Sequence, residues 1–382
     1  MHERTARPGE RVVLTHACRH DTPSALAAIL DDVGDVPENK VQVERVVSPV
    51  ENRSTPRRIC DGAIVSVIVV THNSADVITA TLTAVREHMP YAELIVVDNG
   101  STDKTCDLIA RCPHARLIAG HGNVGYGSGV NLGAHASRGK LLVVLNPDAA
   151  PTFADETALS DLAGKNQLGL LGCQLREDGR TRCSPHVRWG WRRELSWSVV
   201  QWFLLPSEVE LLRPRPRARS QRWISGAAFI ASREEFLYVG GFDERLFLYY
   251  EDFDLSRKYV ARGLPLASTD VVRLDHVGRA SSPRDEDVMI SWALMSLIEQ
   301  TAKWEGRAMS FDAAHWAWRM LGAIEALGRC IARVPWIGPR GHRKANCAAS
   351  VRERLNRAAS SDWTDSYYPS AREALRSALG RA

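Results

Sequence analysis

A chain of 382 residues, 45% hydrophobic and 25% charged, has room for a sizeable core and is not the composition of a disordered protein. Its formal net charge of +4 is mild and its basic residues are interleaved with acids, so nothing points to a nucleic-acid partner. Eight cysteines without a CxxC pair exclude zinc-ribbon and thioredoxin-type readings, and a large chain without a secretory signal is expected to keep them reduced. The start, Met1-His2-Glu3-Arg4, is polar, and no apolar run approaches the roughly 20 residues of a membrane span. The expectation is a cytoplasmic protein that can rest on the inner face of a membrane.

Residues 1–62 read as an N-terminal extension and linker. Arg11 to Thr15 suits a strand, Pro23 to Leu30 a short helix, and Pro37, Pro49 and Pro56 punctuate a polar remainder. His16, Cys18 and His20 lack a fourth ligand and read as a solvated loop. From Val65 the pattern alternates between strand and helix. The apolar runs Val65–Val70, Leu94–Val97 and Leu141–Leu145 lack clean alternation, which suits strands buried on both faces of a parallel sheet. Each run breaks into small polar or acidic residues: Thr71-His72-Asn73-Ser74, Asp98-Asn99-Gly100-Ser101 and Asn146-Pro147-Asp148. In such sheets ligands bind beyond the carboxyl ends of the strands.

Helices are expected over Ala75–His88, Lys104–Arg111 and from Val130, with a short strand at Leu117-Ile118. Between them Gly120 to Gly133 holds six glycines beside His121, Asn123 and Tyr126, a backbone that turns sharply and could bring amides near phosphates. It is not a P-loop, because it has no GK[ST] ending. Residues 150–222 are less legible. Trp189, Trp191, Trp197 and Trp202 fall among arginines and suit core, a sugar-stacking platform or a membrane-surface patch, and Arg213-Pro214-Arg215-Pro216-Arg217 suits a loop. Order returns at Trp223–Ile230, then Gly240-Gly241-Phe242-Asp243-Glu244 and Tyr250-Glu251-Asp252-Phe253-Asp254-Leu255. A helix from Leu255, capped by Asp254, and a strand around Val271–Leu274 follow, then helical periodicity from Asp285 to Ile331. The last forty residues, rich in Arg and Ala, carry little pattern.

Taken singly, each polar cluster is explained by turn chemistry. Together and in this order, the motifs VxVIVVTHNS, VVDNGSTD, NVGYGxGxNxG, LNPD, GGFDE and YEDFDL resemble glycosyltransferase family 2, in its rhamnosyltransferase-like branch, over about Val65 to Ser282. The resemblance implies a GT-A fold: an α/β, Rossmann-like nucleotide-binding domain with a mixed, mainly parallel sheet, plus the N-terminal extension and a helical C-terminal region. The domain would span 63–284, with a nucleotide-binding half at 63–150 and an acceptor half at 151–284, followed by helices over 285–382. It also implies an inverting sugar transfer from a nucleoside-diphosphate donor, such as dTDP-rhamnose or another deoxysugar. The acceptor would be a hydroxyl of a glycan, a lipid-linked sugar or a small natural product.

Carried over by position, Thr71, Asn73 and Asp98 line the nucleoside site, with Asn123 and Gly125 alongside. Asp148 matches the last acid of a metal-binding motif whose first acid is here Asn146, and His276 matches a late histidine that would contact metal or diphosphate. The expected cofactor is Mg2+ or Mn2+. Asp252 matches the general base that removes the acceptor proton, Glu251 orients loop or acceptor, and Arg279 faces the leaving diphosphate. Two other readings stand beside this one: a nucleotide-sugar-binding partner subunit without catalysis, which the acid pair argues against, and a nucleotidyltransferase, which would need Arg and Lys where Thr71–Ala75 has neither. The C-terminal helices are expected to serve as a dimer or membrane contact.

Overall fold

The computed structural model describes residues 13–14, 43–44, 64–177, 179–183, 186–188, 221–277, 286–331, 338–359 and 367–380. The expected helix at 23–30, the His16–His20 loop, the tryptophan-rich stretch from 189 to 202, the Arg-Pro run and Arg279 lie outside the described residues. The described residues fall into two compact units. One draws on Met1–His186, Trp223–Asp243 and Leu255–Ser281; the other draws on Val187–Arg222, Glu244–Asp254 and Ser282–Ala382. The acid-bearing segment 244–254 therefore groups with the C-terminal helices, which a linear boundary at 284/285 does not capture.

In the first unit, β1 (Val13–Leu14) and β2 (Val43–Glu44) form a short antiparallel pair. The main sheet begins with β3 (Val65–Thr71), followed by helix α1 (Ile78–His88), β4 (Glu93–Asp98), α2 (Thr105–Ala110), β5 (Ala115–Ile118), α3 (Tyr126–Ala136) and β6 (Leu141–Leu145). Then come β7 (Ala149–Ala154), α4 (Glu156–Ala163), β8 (Leu170–Glu177) and β9 (Arg180–Cys183). The chain then forms a two-stranded pair, β10 (His186–Arg188) and β11 (Gln221–Trp223), most of whose residues group with the second unit, and returns with β12 (Ala228–Ser232) and α5 (Arg233–Tyr238). Helix α6 (Glu251–Ala261), whose last seven residues belong to this unit, leads to β13 (Leu266–His276).

The sheet runs β5-β4-β3-β6-β12-β8-β13-β7, with β9 added beside β8. Strands β5, β4, β3 and β6 are mutually parallel, whereas β12 runs antiparallel to both its neighbours. The expected mixed sheet is therefore parallel across β5, β4, β3 and β6. Val67 and Val69 of β3 pack into one core with Ile78, Leu82 and Val85 of α1, and Ile68 and Val70 pack into another with Val130 and Ala134 of α3. Both faces are covered, which is why the strand sequences show no alternation.

Helix α3 starts at Tyr126, earlier than the expected Val130, so most of the glycine-rich stretch is helical. The reason is packing. A Cβ on Gly133 would stand 2.5 Å from Ile68 Cγ2, and one on Gly129 2.8 Å from Val70 Cγ1. Glycine costs a helix about 1 kcal/mol relative to alanine, but here it lets the helix lie against β3.

The second unit contains α7 (Glu286–Glu305), α8 (Arg307–Ile331), α9 (Gly338–Ala359) and α10 (Pro369–Ala378). Its core joins Met295, Leu297 and Ile298 to Ala313, Ala314, Ala317 and Leu321, and to Val351, Leu355 and Leu375. The last forty residues thus hold two helices where their composition gave little pattern. No helix among the described residues is long and apolar enough to cross a membrane. Among the described residues, Cys106, Cys112, Cys173, Cys330 and Cys347 are not joined in disulfides.

Gly133→Ala should destabilise the protein by about 1–3 kcal/mol, since Ile68 is a fully buried β-branched residue with no room to yield. A denaturant midpoint equal to that of the unaltered chain would contradict the close helix–sheet contact.

Candidate functional site

The polar residues that follow β3 and β4 are tied to one another. Asp98 is buried and accepts from the Ser101 N–H (2.9 Å), the Ser101 hydroxyl (2.5 Å) and the Cys106 thiol. A carboxylate offers about four acceptor directions, so Asp98 both shapes its loop and keeps capacity for an incoming donor. Burial and Asp98 together push the Cys106 thiol up to about 12, so it stays protonated. Asn73 has a left-handed backbone (φ 49°) and works as a clamp. Its Oδ1 accepts from Thr102 N–H (2.8 Å), and its own N–H donates to Ser101 Oγ (2.8 Å). Thr71 is buried, and its hydroxyl has no hydrogen-bond partner among the described residues.

Asn99, given no role of its own by the sequence, links the β4 end to the glycine-rich segment. Its N–H donates to the Thr71 carbonyl (2.8 Å) and its Nδ2 to the Gly125 carbonyl (2.9 Å). His121 Nε2–H donates to Asn99 Oδ1 at 3.1 Å, which leaves Nδ1 a bare, buried acceptor. Burial lowers the pKa of His121 against the pull of Asp98, so the ring is neutral. Asn123 Oδ1 accepts from Gly125 N–H (3.1 Å), and Gly125 (φ 84°) turns the chain into α3. Further along α3, buried Asn131 makes a two-way bond to the Phe242 backbone, N–H to Oδ1 at 2.9 Å and Nδ2 to the carbonyl at 3.1 Å. Gly241 (φ 52°) fits beneath it, because a Cβ there would meet Asn131 Oδ1 at 2.4 Å. These bonds explain why the Gly-Gly-Phe motif and the Asn of the glycine-rich stretch occur together.

Past β6, the Asn146 N–H bonds to the Ala227 carbonyl (2.9 Å), and Thr81 donates to the Pro147 carbonyl (2.8 Å). Asp148 is brought to His276 by register, since His276, the last residue of β13, pairs with Ala149 at the start of β7. On the other side β13 runs parallel to β8, Asp275 opposite Arg176, which brings Glu177 to the same imidazole. His276 Nδ1–H donates to Glu177 Oε1 at 2.6 Å, and its Nε2 stands 3.3 Å from Asp148 Oδ1. Burial opposes charge on this ring, but the hydrogen bonds and charges of Asp148 and Glu177 outweigh it and raise the pKa. Among the described residues no three His, Cys, Asp or Glu side chains form a metal cage. Asp148 and His276 could nonetheless supply two ligands, with Glu177 orienting the imidazole.

In the second unit, three acids occupy the first turn of α6. Glu251 is buried, its Oε2 meets no donor among the described residues, and burial followed by the charge of Asp252 raises its pKa well above the carboxylate range. Asp252 Oδ1 accepts from the Phe253 N–H at 2.7 Å. Asp254, fully buried, receives Lys303 Nζ (2.8 Å) and Trp304 Nε1 (2.6 Å). Asp254 is therefore not the cap of a helix beginning at Leu255. Helix α6 starts at Glu251, and the Asp254 N–H already bonds to the Tyr250 carbonyl within it.

The Glycosyl transferase family 2 model matches residues 66–208. Over those residues the chain is similar to glycosyltransferase family 2. It is 33% identical over 183 residues to N-acetylglucosaminyl-diphospho-decaprenol L-rhamnosyltransferase of Mycobacterium tuberculosis, strains CDC 1551 and H37Rv. That match takes in 42% of this chain and 59% of the relative, less than two thirds of its length. It is 29% identical over 252 residues to the O-antigen biosynthesis protein RfbC of Myxococcus xanthus, taking in 63% of this chain and 19% of that one. Among solved structures it is similar to GalNAc-T7 with UDP, GalNAc and Mn2+, at 16% identity and a TM-score of 0.45, with 66% of this chain and 51% of that chain covered. It is also similar to glucosyl-3-phosphoglycerate synthase of M. tuberculosis with Mn2+ and UDP, at 18% identity and a TM-score of 0.41, with 63% and 80% covered.

The matched family 2 segment contains Thr71, Asn73, Asp98, Asn123, Gly125, Asn146 and Asp148, while Glu251, Asp252 and His276 fall beyond it. The structure adds Asn99, His121 and Glu177 to the polar residues of this domain. Asn99 could have been suspected from its place beside Asp98; Glu177 carries no sequence signal, because only the β8–β13 register brings it to His276.

In the metal-free protein, NMR titration of His276 should give a midpoint above the usual imidazole value of about 6.5. A raised folded-state pKa adds stability that is complete below about pH 6.5 and fades as pH rises through the folded midpoint. Glu177→Gln should lower that midpoint. A His276 titrating at or below the ordinary value in the unaltered protein would contradict the paired imidazolium.

Proposed function

We propose that this chain is an inverting glycosyltransferase that moves a sugar, rhamnose or a related deoxysugar, from a nucleoside-diphosphate donor to a hydroxyl of a glycan or lipid-linked sugar. The observation that carries the reading is the family 2 match lying over the three parallel strand ends whose loops are clamped into one polar edge. The choice of rhamnose and of a lipid-linked acceptor rests on the names of the curated M. tuberculosis relatives, and assembly of a surface glycan on that of the M. xanthus one.

In this reading the nucleoside is received by Thr71 and Asp98, whose hydroxyl and carboxylate offer hydrogen-bonding capacity, on a loop held in shape by Asn73 and Asn99. Asn123 and Gly125 border it. A divalent ion, when bound, neutralises charge developing on the leaving diphosphate. Asp148 and His276 would hold it, since a ligating histidine characteristically donates its other N–H to a carboxylate, as His276 does to Glu177. Mg2+ prefers an all-oxygen shell, so the imidazole favours Mn2+. Asn146 in place of an acid lowers the negative charge there and weakens retention between turnovers. Arg279 would supply further positive charge to the diphosphate.

Asp252 takes the proton from the acceptor hydroxyl as it attacks the anomeric carbon. A sugar hydroxyl is a poor nucleophile, and such assistance is worth about 10²–10⁴ in rate. Base and leaving group act from opposite sides of the carbon, hence inversion. Burial and the charge of Asp252 raise the pKa of Glu251, which favours Asp252 over Glu251 as the proton acceptor.

Asp252→Asn should lower transfer by about 10²–10⁴ while leaving nucleotide-sugar affinity essentially unchanged. Calorimetry of donor binding alongside a product assay over dTDP-, UDP- and GDP-sugars measures both. Full turnover by this variant would remove Asp252 from the role.

Mn2+ affinity should rise with pH through the His276 midpoint, because Nε2 must release its proton to bind metal. Titration calorimetry at several pH values checks this, and a pH-independent affinity would place the ion elsewhere.

A further inference from the structure

The segment that delivers the acid pair is strained. Tyr249 and Tyr250, immediately before Glu251, both have left-handed backbones (φ 68° and 63°). Non-glycine residues persist there only when their surroundings over-determine them, and such sites cluster where function needs a fixed geometry. What holds them comes from residues far along the chain. The Phe247 N–H lies 3.1 Å and the Leu248 N–H 3.3 Å from the hydroxyl of Tyr368, just before α10. Ser296 Oγ on α7 lies 2.8 Å from the Leu248 carbonyl and 3.1 Å from the Tyr368 hydroxyl.

Each hydroxyl has one proton, so one allocation satisfies every group. Both amides donate to Tyr368 Oη, Tyr368 donates to Ser296 Oγ, and Ser296 donates to the Leu248 carbonyl. Tyr368 is itself fully buried and left-handed (φ 54°), with its N–H on the Arg245 carbonyl at 3.2 Å. Buried Glu299 completes the frame, accepting from the Ala371 N–H (2.9 Å) and lying 3.6 Å from Arg245. Phe247 packs between Trp292 and Tyr367, at ring distances of 4.8 and 5.3 Å.

We infer that Tyr368 and Ser296 are positioning residues for sugar transfer: their hydroxyls lock residues 247–250 and so set where α6 begins and how Glu251 and Asp252 are presented. This rests on the reading of Asp252 as the base. It gives the C-terminal helices a part in turnover, as the support of the acid pair.

The test uses the full chain with Tyr368→Phe, Ser296→Ala and Asp252→Asn side by side. Tyr368→Phe keeps the ring and its packing but removes the acceptor of two amides; Ser296→Ala is a milder variant that leaves Tyr368 in place. Displacing a reacting group by about 1 Å costs on the order of 10²-fold, so kcat should fall about 10- to 100-fold in Tyr368→Phe and less in Ser296→Ala. Donor KM, measured with the nucleotide sugar turned over by the unaltered chain, should stay within about twofold, because ground-state binding is untouched. Hydrogen–deuterium exchange over residues 245–254 should speed up at least about tenfold in Tyr368→Phe, the loss of two amide bonds, whether or not any tested sugar is turned over. A variant that merely folds less well would lose donor-binding stoichiometry in proportion to kcat, and that result would overturn the inference. So would unchanged kcat in both hydroxyl variants while Asp252→Asn is inactive, or unchanged exchange over 245–254. Full activity of Asp252→Asn would instead overturn the base assignment, with the exchange result still deciding what braces the segment.

Discussion

The parallel pairing of β3 with β4 on one side and β6 on the other is the constraint from which the candidate site follows. A strand covered on both faces has no water for its backbone, so its neighbours must satisfy every N–H and C=O. In the register observed, Thr71 stands opposite Asp98, and Val69 opposite Leu145. The strands therefore end near one another, and the residues just past them, 72–74, 99–103 and 146–148, are delivered to the same edge of the sheet. Polar side chains gather there because the apolar runs that precede them cannot be extended without burying polar groups.

Much of that polarity serves the loops before it can serve a ligand. Asn73, Asn99, Ser101 and Asn123 spend their hydrogen bonds on neighbouring backbone or side-chain groups, and Asp103 holds the start of α2 through Thr105, which also draws its carboxyl below the usual range. Such bonds fix loops that would otherwise have to be ordered at each binding event, a cost that would be subtracted from affinity. Among the described residues, the Thr71 hydroxyl and Nδ1 of His121 are buried without a hydrogen-bond partner, and Asp98 keeps acceptor directions to spare.

What could be read from the sequence follows a clear physical division. The strands β3, β4 and β6 were legible because burial on both faces writes itself into continuous Val, Ile and Leu runs. The clusters after them were legible because they break those runs. The length of α3 was not, since glycines at 127, 129 and 133 signal a loop by propensity, and only the closeness of Ile68, Val70 and Phe242 reveals why a helix needs them. Glu177 was invisible because its relation to His276 arises from strand register across 99 residues of sequence. The C-terminal helices α9 and α10 were obscured by their many arginines, several of which are paired: Arg352 with Glu325, Arg354 with Asp287.

The three acids at the head of α6 show most directly why residue identity underdetermines chemistry. Glu251, Asp252 and Asp254 sit within one turn, and spacing alone would treat them as interchangeable caps. Their surroundings separate them. Glu251 is buried beside another acid, and burial followed by that charge raises its pKa. Asp254 is equally buried but meets an ammonium and an indole N–H, partners whose loss would leave a buried acid uncompensated. Asp252 alone is partly exposed, with one oxygen turned back to its own helix. A proton acceptor must be reachable and fixed in direction, and of the three acids it is the middle one whose side chain is partly exposed and held at one oxygen, as the proposed role of Asp252 asks. The flanking acids are both buried, and Asp254 ties the helix to Lys303 and Trp304.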